Sequence, residues 1–365
     1  MWLGGDAFAA TDDSPKPGKG IPALGYAALA AGVALKPFSF MRRNLQPDDV
    51  LIDIQYAGIC HTDIHFMKGD FGPLGYQMVP GHEIVGCVAA VGSAVTKFKV
   101  GDLAGVGCMV DSCGICAKCK RGLEQYCDNG ATYTYASKDR FSDDTQGGYS
   151  NRIVVREAFV IKIPPGANLA ATAPLLCAGV TTFSPMQHWN IGKGKKVAIV
   201  GLGGLGHVAL KLFKARGAEV TVFTTTAAKI PDAIKMGASE AVLWSDKEAF
   251  SRLKDQFNYL LSTVPYPFDV DPFMDLLDLD GVFTNVGVVR PLQAKLDLIG
   301  RRKSITGSAI GSISETQEVI DYCVSRNIGA EVEVIPIQQV NEAYIRVLNK
   351  DVRYRYVIDM STLHA

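Results

Sequence analysis

Lys196-Val197-Ala198-Ile199-Val200-Gly201-Leu202-Gly203-Gly204-Leu205-Gly206 decides the architecture of half the chain. Residues 196–200 read as a short buried strand, and G-x-G-x-x-G follows at once, before a helical pattern over 207–216. In that context Gly201 makes the tight turn, Gly203 admits a pyrophosphate to the backbone, and Gly206 lets helix pack on strand. Leu202, Gly204 and Leu205 complete the turn, and the helix N-terminus faces the anion. Further strands are expected at 219–223, 259–263 and 281–287, with a helix at 227–236 closed by Gly237. Alternating strand and helix predicts a doubly wound parallel sheet.

The end of the second strand selects the cofactor. An NAD site places a carboxylate there to hold the ribose diol. Here the residues are Thr224-Thr225-Thr226, then Lys229, and Glu219 lies before the strand. Hydroxyls and an ammonium suit a 2′-phosphate, so the expectation is NADP(H). A threonine-rich turn with a solvated lysine is the plain alternative.

Upstream, to about residue 180, short alternating runs at 50–56, 83–91 and 152–163 are bounded by Gly, Pro and Asp. They predict a barrel-like β domain with long loops. Within it, Cys113, Cys116, Cys119 and Cys127 are spaced C-x2-C-x2-C-x7-C. Tight turns at that spacing point four sulfurs at one centre, which is what a closed tetrahedral zinc site needs. Disulfides are the alternative, but two-residue spacings strain them and the chain does not read as secreted. Cys60, His82 and Cys177 form a second set: two thiolates and one imidazole with an open fourth position suit a catalytic zinc. Each alone is equally a core thiol or a capping imidazole; only the combination lifts the metal reading.

Composition sets the outer limits. The 365 residues carry 37 basic and 37 acidic side chains, and this neutrality argues against nucleic acid as a partner. No stretch is apolar and long enough to span a bilayer. Nine cysteines, clustered and odd in number, suit metal ligands plus free thiols in a reducing compartment, so a cytoplasmic location is expected. Residues 1–24 read as a flexible extension, with a first strand from Gly25. The mildly apolar 21–35 could mimic a secretory signal, but its Ala and Gly content makes a poor signal core.

Over about residues 25–362 the chain resembles the zinc-containing medium-chain dehydrogenase/reductases, in particular their cinnamyl-alcohol-dehydrogenase-like branch with its bacterial NADPH-dependent aldehyde reductases. The resemblance rests on Cys60-His61-Thr62-Asp63-Ile64-His65, Pro80-Gly81-His82-Glu83, Gly105-Val106-Gly107-Cys108 and the four-cysteine lobe. It also rests on Gly147-Gly148-Tyr149, Ala173-Pro174-Leu175-Leu176-Cys177-Ala178-Gly179, the glycine turn, Gly307-Ser308 with Ile310-Gly311, and Tyr354-Arg355-Tyr356-Val357-Ile358-Asp359. It implies a GroES-like β-barrel catalytic domain (25–180 and 313–365, with the structural zinc lobe near 108–128) and a Rossmann coenzyme domain over 181–312.

The resemblance also implies roles. Cys60, His82 and Cys177 would hold a catalytic zinc, Glu83 would be a carboxylate able to reach it, and Asp63 would orient His82. Thr62 would exchange the reacting proton, and His65 would pass it to solvent by way of the cofactor ribose. His61 would lie by the pyrophosphate and Thr181 by the nicotinamide; Thr263, Gly287, Ser308 and Ile310 would line the rest of the cofactor pocket. The implied activity is reversible hydride transfer between NADP(H) and a primary alcohol or aldehyde, by a homodimer with two zinc ions per chain. Phe71 stands where relatives often carry Trp, and Cys87 and Cys323 read as core thiols. The rivals are a non-catalytic nucleotide-binding zinc protein and a zinc polyol dehydrogenase. The first gives no reason for Cys60, Thr62, His65, His82 and Cys177 to occur together, and the second usually has a carboxylate in place of Cys177.

Overall fold

A computed structural model describes residues 20–287 and 299–364. The strands in the first half are β1 (Ile21–Ala27), β2 (Lys36–Arg42), β3 (Asp49–Gly58), β4 (Ile84–Val91), β5 (Leu103–Val106), β6 (Met109–Asp111), β7 (Thr132–Tyr133), β8 (Arg152–Arg156) and β9 (Ile161–Lys162). The nucleotide half carries β10 (Lys196–Val200), β11 (Glu219–Thr224), β12 (Glu240–Leu243), β13 (Phe257–Ser262), β14 (Leu277–Asn285) and β15 (Ser304–Gly307), and the chain closes with β16 (Val332–Pro336) and β17 (Arg355–Asp359). The helices are α1 (His61–Lys68), α2 (Ala117–Lys120), α3 (Leu169–Thr172), α4 (Ala178–His188), α5 (Gly206–Ala215), α6 (Ile230–Lys235), α7 (Lys247–Arg252), α8 (Asp271–Met274), α9 (Ile313–Val324) and α10 (Val340–Leu348).

The nucleotide sheet has the order β12-β11-β10-β13-β14-β15, all parallel. That is the doubly wound order, in which the chain reverses direction between β10 and β13 and opens a crevice at the strands' C-terminal ends. Its strands are apolar on both faces. Val197, Ile199, Val220 and Val222 pack with α4 and α5, while Ala198, Val200, Phe223 and Phe283 pack with Phe257 and Phe273 on the other side. The second sheet runs β16-β17-β3-β4-β5-β9, mainly antiparallel, with β8 also pairing β3. The C-terminal strands β16 and β17 therefore complete a sheet begun by β3, which brings Arg355 into the first half of the fold.

Two expectations need correction. The first strand begins at Ile21, not Gly25: residues 21–24 pair antiparallel with β2, in register from Ile21 opposite Arg42 to Leu24 opposite Ser39, so they are not part of an extension. The rest of the expected extension, 1–19, lies outside the described residues. Cys87 is half-buried on β4 and not a core thiol, whereas Cys323 is fully buried. The expected helix over 227–236 is a short 3-10 turn, Ala227–Lys229, followed by α6, because Pro231 enters at the first turn. Among the described residues no single helix is long and apolar enough to cross a membrane.

Candidate active site

Helix α1 builds the centre of the site. Cys60 is its N-cap in extended conformation, and Asp63, three residues on, accepts the Cys60 N–H at 2.8 Å in a capping box. Cys177 precedes α4 after the tight 3-10 turn Ala173–Leu176, and lies with its Sγ 4.0 Å from Cys60 Sγ. His82 enters from the turn before β4. Its Nε2 is 3.3 Å from Cys177 Sγ. The turn depends on Gly81, with φ 103°, where a Cβ would strike the Tyr149 ring at 2.5 Å.

These donors, with a Glu83 oxygen, all lie within 4.8 Å of one another and are all buried. Four ligands around zinc at about 2.3 Å give sulfur–sulfur separations of about 3.8 Å, so two thiols and an imidazole at these distances fit the ion. The four-cysteine lobe passes the same test: Cys113 and Cys119 sulfurs are 3.9 Å apart, and all four sulfurs lie within 4.8 Å. Its backbone is arranged for thiolates. The Cys116 and Cys119 N–H groups donate to Cys113 and Cys116 sulfurs at 3.4 Å, and the Asp128 N–H reaches Cys116 at 3.5 Å. Such backbone N–H groups pull the Cys113 thiol down to about 6.

Asp63 does more than face His82. Its Oδ1 accepts from Tyr135 Oη at 2.6 Å and Gly81 N–H at 3.1 Å; its Oδ2 accepts from Tyr149 Oη at 3.0 Å as well as from Cys60. His82 Nδ1 sits 3.3 Å from Asp63 Oδ1 and 3.2 Å from Tyr135 Oη, with the Tyr135 ring stacked on the imidazole. Every lone pair of a fully buried carboxylate is thus occupied, which is how a buried charge is tolerated. Sequence reading gave Tyr135 no role; a tyrosine shortly after the fourth lobe cysteine offered no signal of its own.

Glu83 and Arg355 form a buried ion pair beside the metal donors. Burial raises the Glu83 carboxyl to about 7, with Arg355 opposing the rise. Despite its burial, Arg355 is held charged by Glu83 and the Cys60 and Cys177 sulfurs. The Cys60 thiol is drawn well below its ordinary value, first by its hydrogen bond with Cys177 and further by the charges of His82 and Arg355. The Arg355 side chain also reaches the glycine turn, where a Cβ on Gly204 would lie 2.8 Å from Arg355 Cδ. One cation therefore touches both the metal-site carboxylate and the phosphate turn. An arginine among the aromatic and aliphatic residues of 354–358 was the available signal for it.

On the exposed side of α1, Thr62 Oγ1 is 3.6 Å from Cys60 Sγ. His65, on the same helical face, binds Asp70 through Nδ1 at 2.8 Å, and its buried Nε2 has no partner among the described residues. Burial pushes the His61 imidazole down to about 4, so it is neutral near pH 7. Phe71 is 41% exposed and packs its ring on Phe66 and His65.

The glycine turn has the expected asymmetry. Gly201 has φ 98°, a Cβ on Gly206 would lie 1.9 Å from the Gly201 carbonyl oxygen, and a Cβ on Gly203 would meet nothing within 4 Å among the described residues. Thr263 Oγ1 donates to the carbonyls of Val200 and Gly201 at 3.2 and 3.1 Å. Gly287 lies against the Val264 backbone, and the Ser308 N–H donates to Asn285 at 3.2 Å, so the ends of β13, β14 and β15 meet at one crevice. Ile310 follows with φ 52°. Thr181 is buried in α4, one turn from Cys177, whose carbonyl accepts its N–H. Thr224 is buried with its Oγ1 accepting from Thr226 N–H at 3.2 Å, and Thr225 is exposed. Lys229 is turned away from open solvent: its Nζ donates to the Leu202 carbonyl at 3.2 Å and sits 5.3 Å over the Tyr354 ring.

A three-donor cluster that fits zinc, beside a glycine turn at a parallel-sheet crevice and with a separate four-cysteine lobe, is the arrangement of a two-domain zinc oxidoreductase. Residues 46–165 match the alcohol dehydrogenase GroES-like domain and residues 204–325 match the zinc-binding dehydrogenase domain. The chain is 50% identical over 343 residues to NADP-dependent alcohol dehydrogenase C 1 of Mycolicibacterium smegmatis, covering 93% of this chain and 98% of that protein. It is 47% identical to the aldehyde reductase YahK of Escherichia coli over 92% of this chain and 97% of the relative. Among solved structures, the cinnamyl alcohol dehydrogenase of Helicobacter pylori complexed with NADP(H) superposes with TM-score 0.89 at 39% identity, over 94% of this chain and all of that one. A Sorghum bicolor cinnamyl alcohol dehydrogenase gives 0.90 at 38%, over 94% and 99%. The chain belongs to the zinc-containing alcohol dehydrogenase family.

Proposed function

We propose that this protein is an NADPH-dependent zinc alcohol dehydrogenase working chiefly as an aldehyde reductase: aldehyde, NADPH and a proton give primary alcohol and NADP+. The observation that carries the reading is the convergence of Cys60, His82 and Cys177 within 4.8 Å beside an arginine that touches the glycine turn. When bound, zinc supplies a Lewis acid for the carbonyl oxygen and NADPH supplies the hydride. Asp63, fixed by Tyr135 and Tyr149, holds His82 with Nε2 toward the metal donors. Thr62 gives its hydroxyl proton to the new alcohol oxygen, and His65, one turn on with Nδ1 held by Asp70, restores it from the solvent side. Arg355 keeps positive charge against the phosphate turn, and Glu83 keeps Arg355 in place.

Cofactor preference follows from β11. Thr224 offers a hydroxyl where a carboxylate would repel phosphate, and Lys229, whose Nζ rests on the Leu202 carbonyl of the glycine turn, would supply the positive charge for a 2′-phosphate. The protein acts as a homodimer through the nucleotide domain, whose edge strand β15 has an outer side with no partner strand among the described residues. Nine cysteines with no disulfide among the described residues suit a reducing, cytoplasmic setting. A panel of aldehydes with NADPH and NADH, followed by loss of nicotinamide absorbance, tests the reading. Reduction with NADPH preferred at least about tenfold is expected from one charge-assisted phosphate contact. Zinc-replete protein that oxidises NADPH with no primary aldehyde overturns it.

A further inference from the structure

The four-cysteine lobe is fastened to the cofactor pocket as well as to its own metal. Between Cys119 and Cys127 the chain makes a short 3-10 turn, Glu124–Tyr126, whose position the flanking ligands fix. Two of its side chains leave the lobe. Tyr126 Oη accepts the Ala309 N–H at 3.3 Å, and Glu124 Oε2 accepts the Ile313 N–H at 3.3 Å. Ile313 is the first residue of α9, so its N–H is one of the donors a helix cannot satisfy internally. Ser312 and Glu315 satisfy others through a capping box, and the Glu124 carboxylate adds charge where the helix dipole favours it.

Between these two contacts lies Ile310, a β-branched residue at φ 52°. Such a residue stays in the left-handed region only where its surroundings hold it. On one side Ser308 is tied to Asn285; on the other Gly311 is pressed so close to Val180 that a Cβ would lie 2.4 Å from Val180 Cγ2. Ile310 and Ile313 also pack against the core, and the lobe adds the hydrogen bonds to the Ala309 and Ile313 N–H groups.

We propose that Glu124 and Tyr126 of the four-cysteine lobe are positioning residues that clamp segment 308–313 and so hold the cofactor pocket in its binding shape. This rests on the reading above that Ser308 and Ile310 line that pocket. Neither residue is a metal ligand, so the double substitution Glu124→Ala/Tyr126→Phe tests the clamp in the zinc-replete enzyme. Hydrogen exchange at the Ala309 and Ile313 amides should quicken at least about tenfold, while protection along β10 stays the same. The NADPH dissociation constant, from nicotinamide fluorescence, should rise about 3- to 10-fold, a fraction of two hydrogen bonds. Turnover at saturating NADPH should stay within about twofold and zinc content should not change. Glu124→Gln, which keeps an acceptor oxygen, should recover most of its part of the loss.

Unchanged exchange at both amides overturns the clamp. Faster exchange with an unchanged dissociation constant overturns its link to the cofactor, and a dissociation constant that rises only in step with lost zinc reduces the effect to lobe unfolding. If the unsubstituted enzyme does not bind NADPH, the cofactor reading fails, and the exchange measurement still decides the clamp.

Discussion

Two alanine substitutions three residues apart should fail in opposite ways. A methyl at Gly206 would lie 1.9 Å from the Gly201 carbonyl oxygen. That oxygen cannot retreat easily, because the Gly201 N–H is bonded to Phe223 at 2.9 Å and the oxygen itself accepts from Thr263 Oγ1 at 3.1 Å. Gly206→Ala must therefore push α5 off β10, at the upper end of the overpacking cost, about 3 kcal/mol. For a domain of this size that lowers the melting temperature by roughly 6–12 °C. A methyl at Gly203 meets nothing within 4 Å among the described residues. Gly203→Ala should leave the melting temperature unchanged or raise it slightly, since the backbone there needs no positive φ and alanine restricts the unfolded chain. The same methyl occupies the surface that a diphosphate approaches. An overlap of about 1–3 kcal/mol with the ligand weakens NADPH binding roughly 5- to 150-fold. Differential scanning of the two variants, with fluorescence titration of NADPH, reads both effects. Gly203→Ala binding NADPH within twofold of the parent would refute the placement of the pyrophosphate; Gly206→Ala melting with the parent would refute the packing argument.

Cys116→Ser should lower thermal stability and lose one zinc per chain with no direct effect on the other site. Cys177→Ser should keep the melting temperature but cut kcat/KM about a thousandfold, as losing several kcal/mol of Lewis-acid stabilisation requires; metal analysis of both variants checks the division. Thr224→Asp should lower kcat/KM with NADPH at least about tenfold and raise it with NADH, and a preference that does not move means the threonine turn does not read the phosphate. His207 is fully buried, its Nδ1 on the Gly203 carbonyl at 3.1 Å and its Nε2 accepting the Glu331 N–H at 3.1 Å, and burial pushes its imidazole down to about 3. Its folded value lies below the unfolded one near 6.5, so its contribution is complete above about pH 6.5 and is lost as pH falls toward 3. Between pH 7 and 5 that is about 2 kcal/mol. His207→Gln should remove that part of the acid sensitivity, seen as a smaller fall in urea midpoint than the parent shows over the same interval.

The sequence shows most of what is held together locally. The glycine turn is legible because its signature falls within six consecutive residues between β10 and α5, and Gly201 and Gly206 each have a separate steric reason. The lobe is legible because all four sulfurs occur within one short loop, whose own N–H groups stabilise the thiolates. The strand boundary at Ile21 is not legible, because it is set by pairing with β2 and not by local pattern. Asp70 is hidden for a similar reason: it reaches His65 only after the helix stops at Gly69 in the left-handed conformation. Arg355 is the hardest case and the most consequential. It is separated from Glu83 by 272 positions, and only the parallel pairing of β17 with β16 and its antiparallel pairing with β3 bring them together. A guanidinium buried among apolar strand residues would cost several kcal/mol if unpaired, so the fold keeps it charged only by giving it the Glu83 carboxylate. Glu83 in turn would lose its charge to burial without Arg355. Each justifies the other's presence, and the pair stands where β4 of one sheet meets the phosphate turn of the other. An enzyme that must align a metal site with a cofactor carried by a different sheet needs a rigid link at that point, and Arg355, touching both Glu83 and Gly204, is the residue the fold supplies.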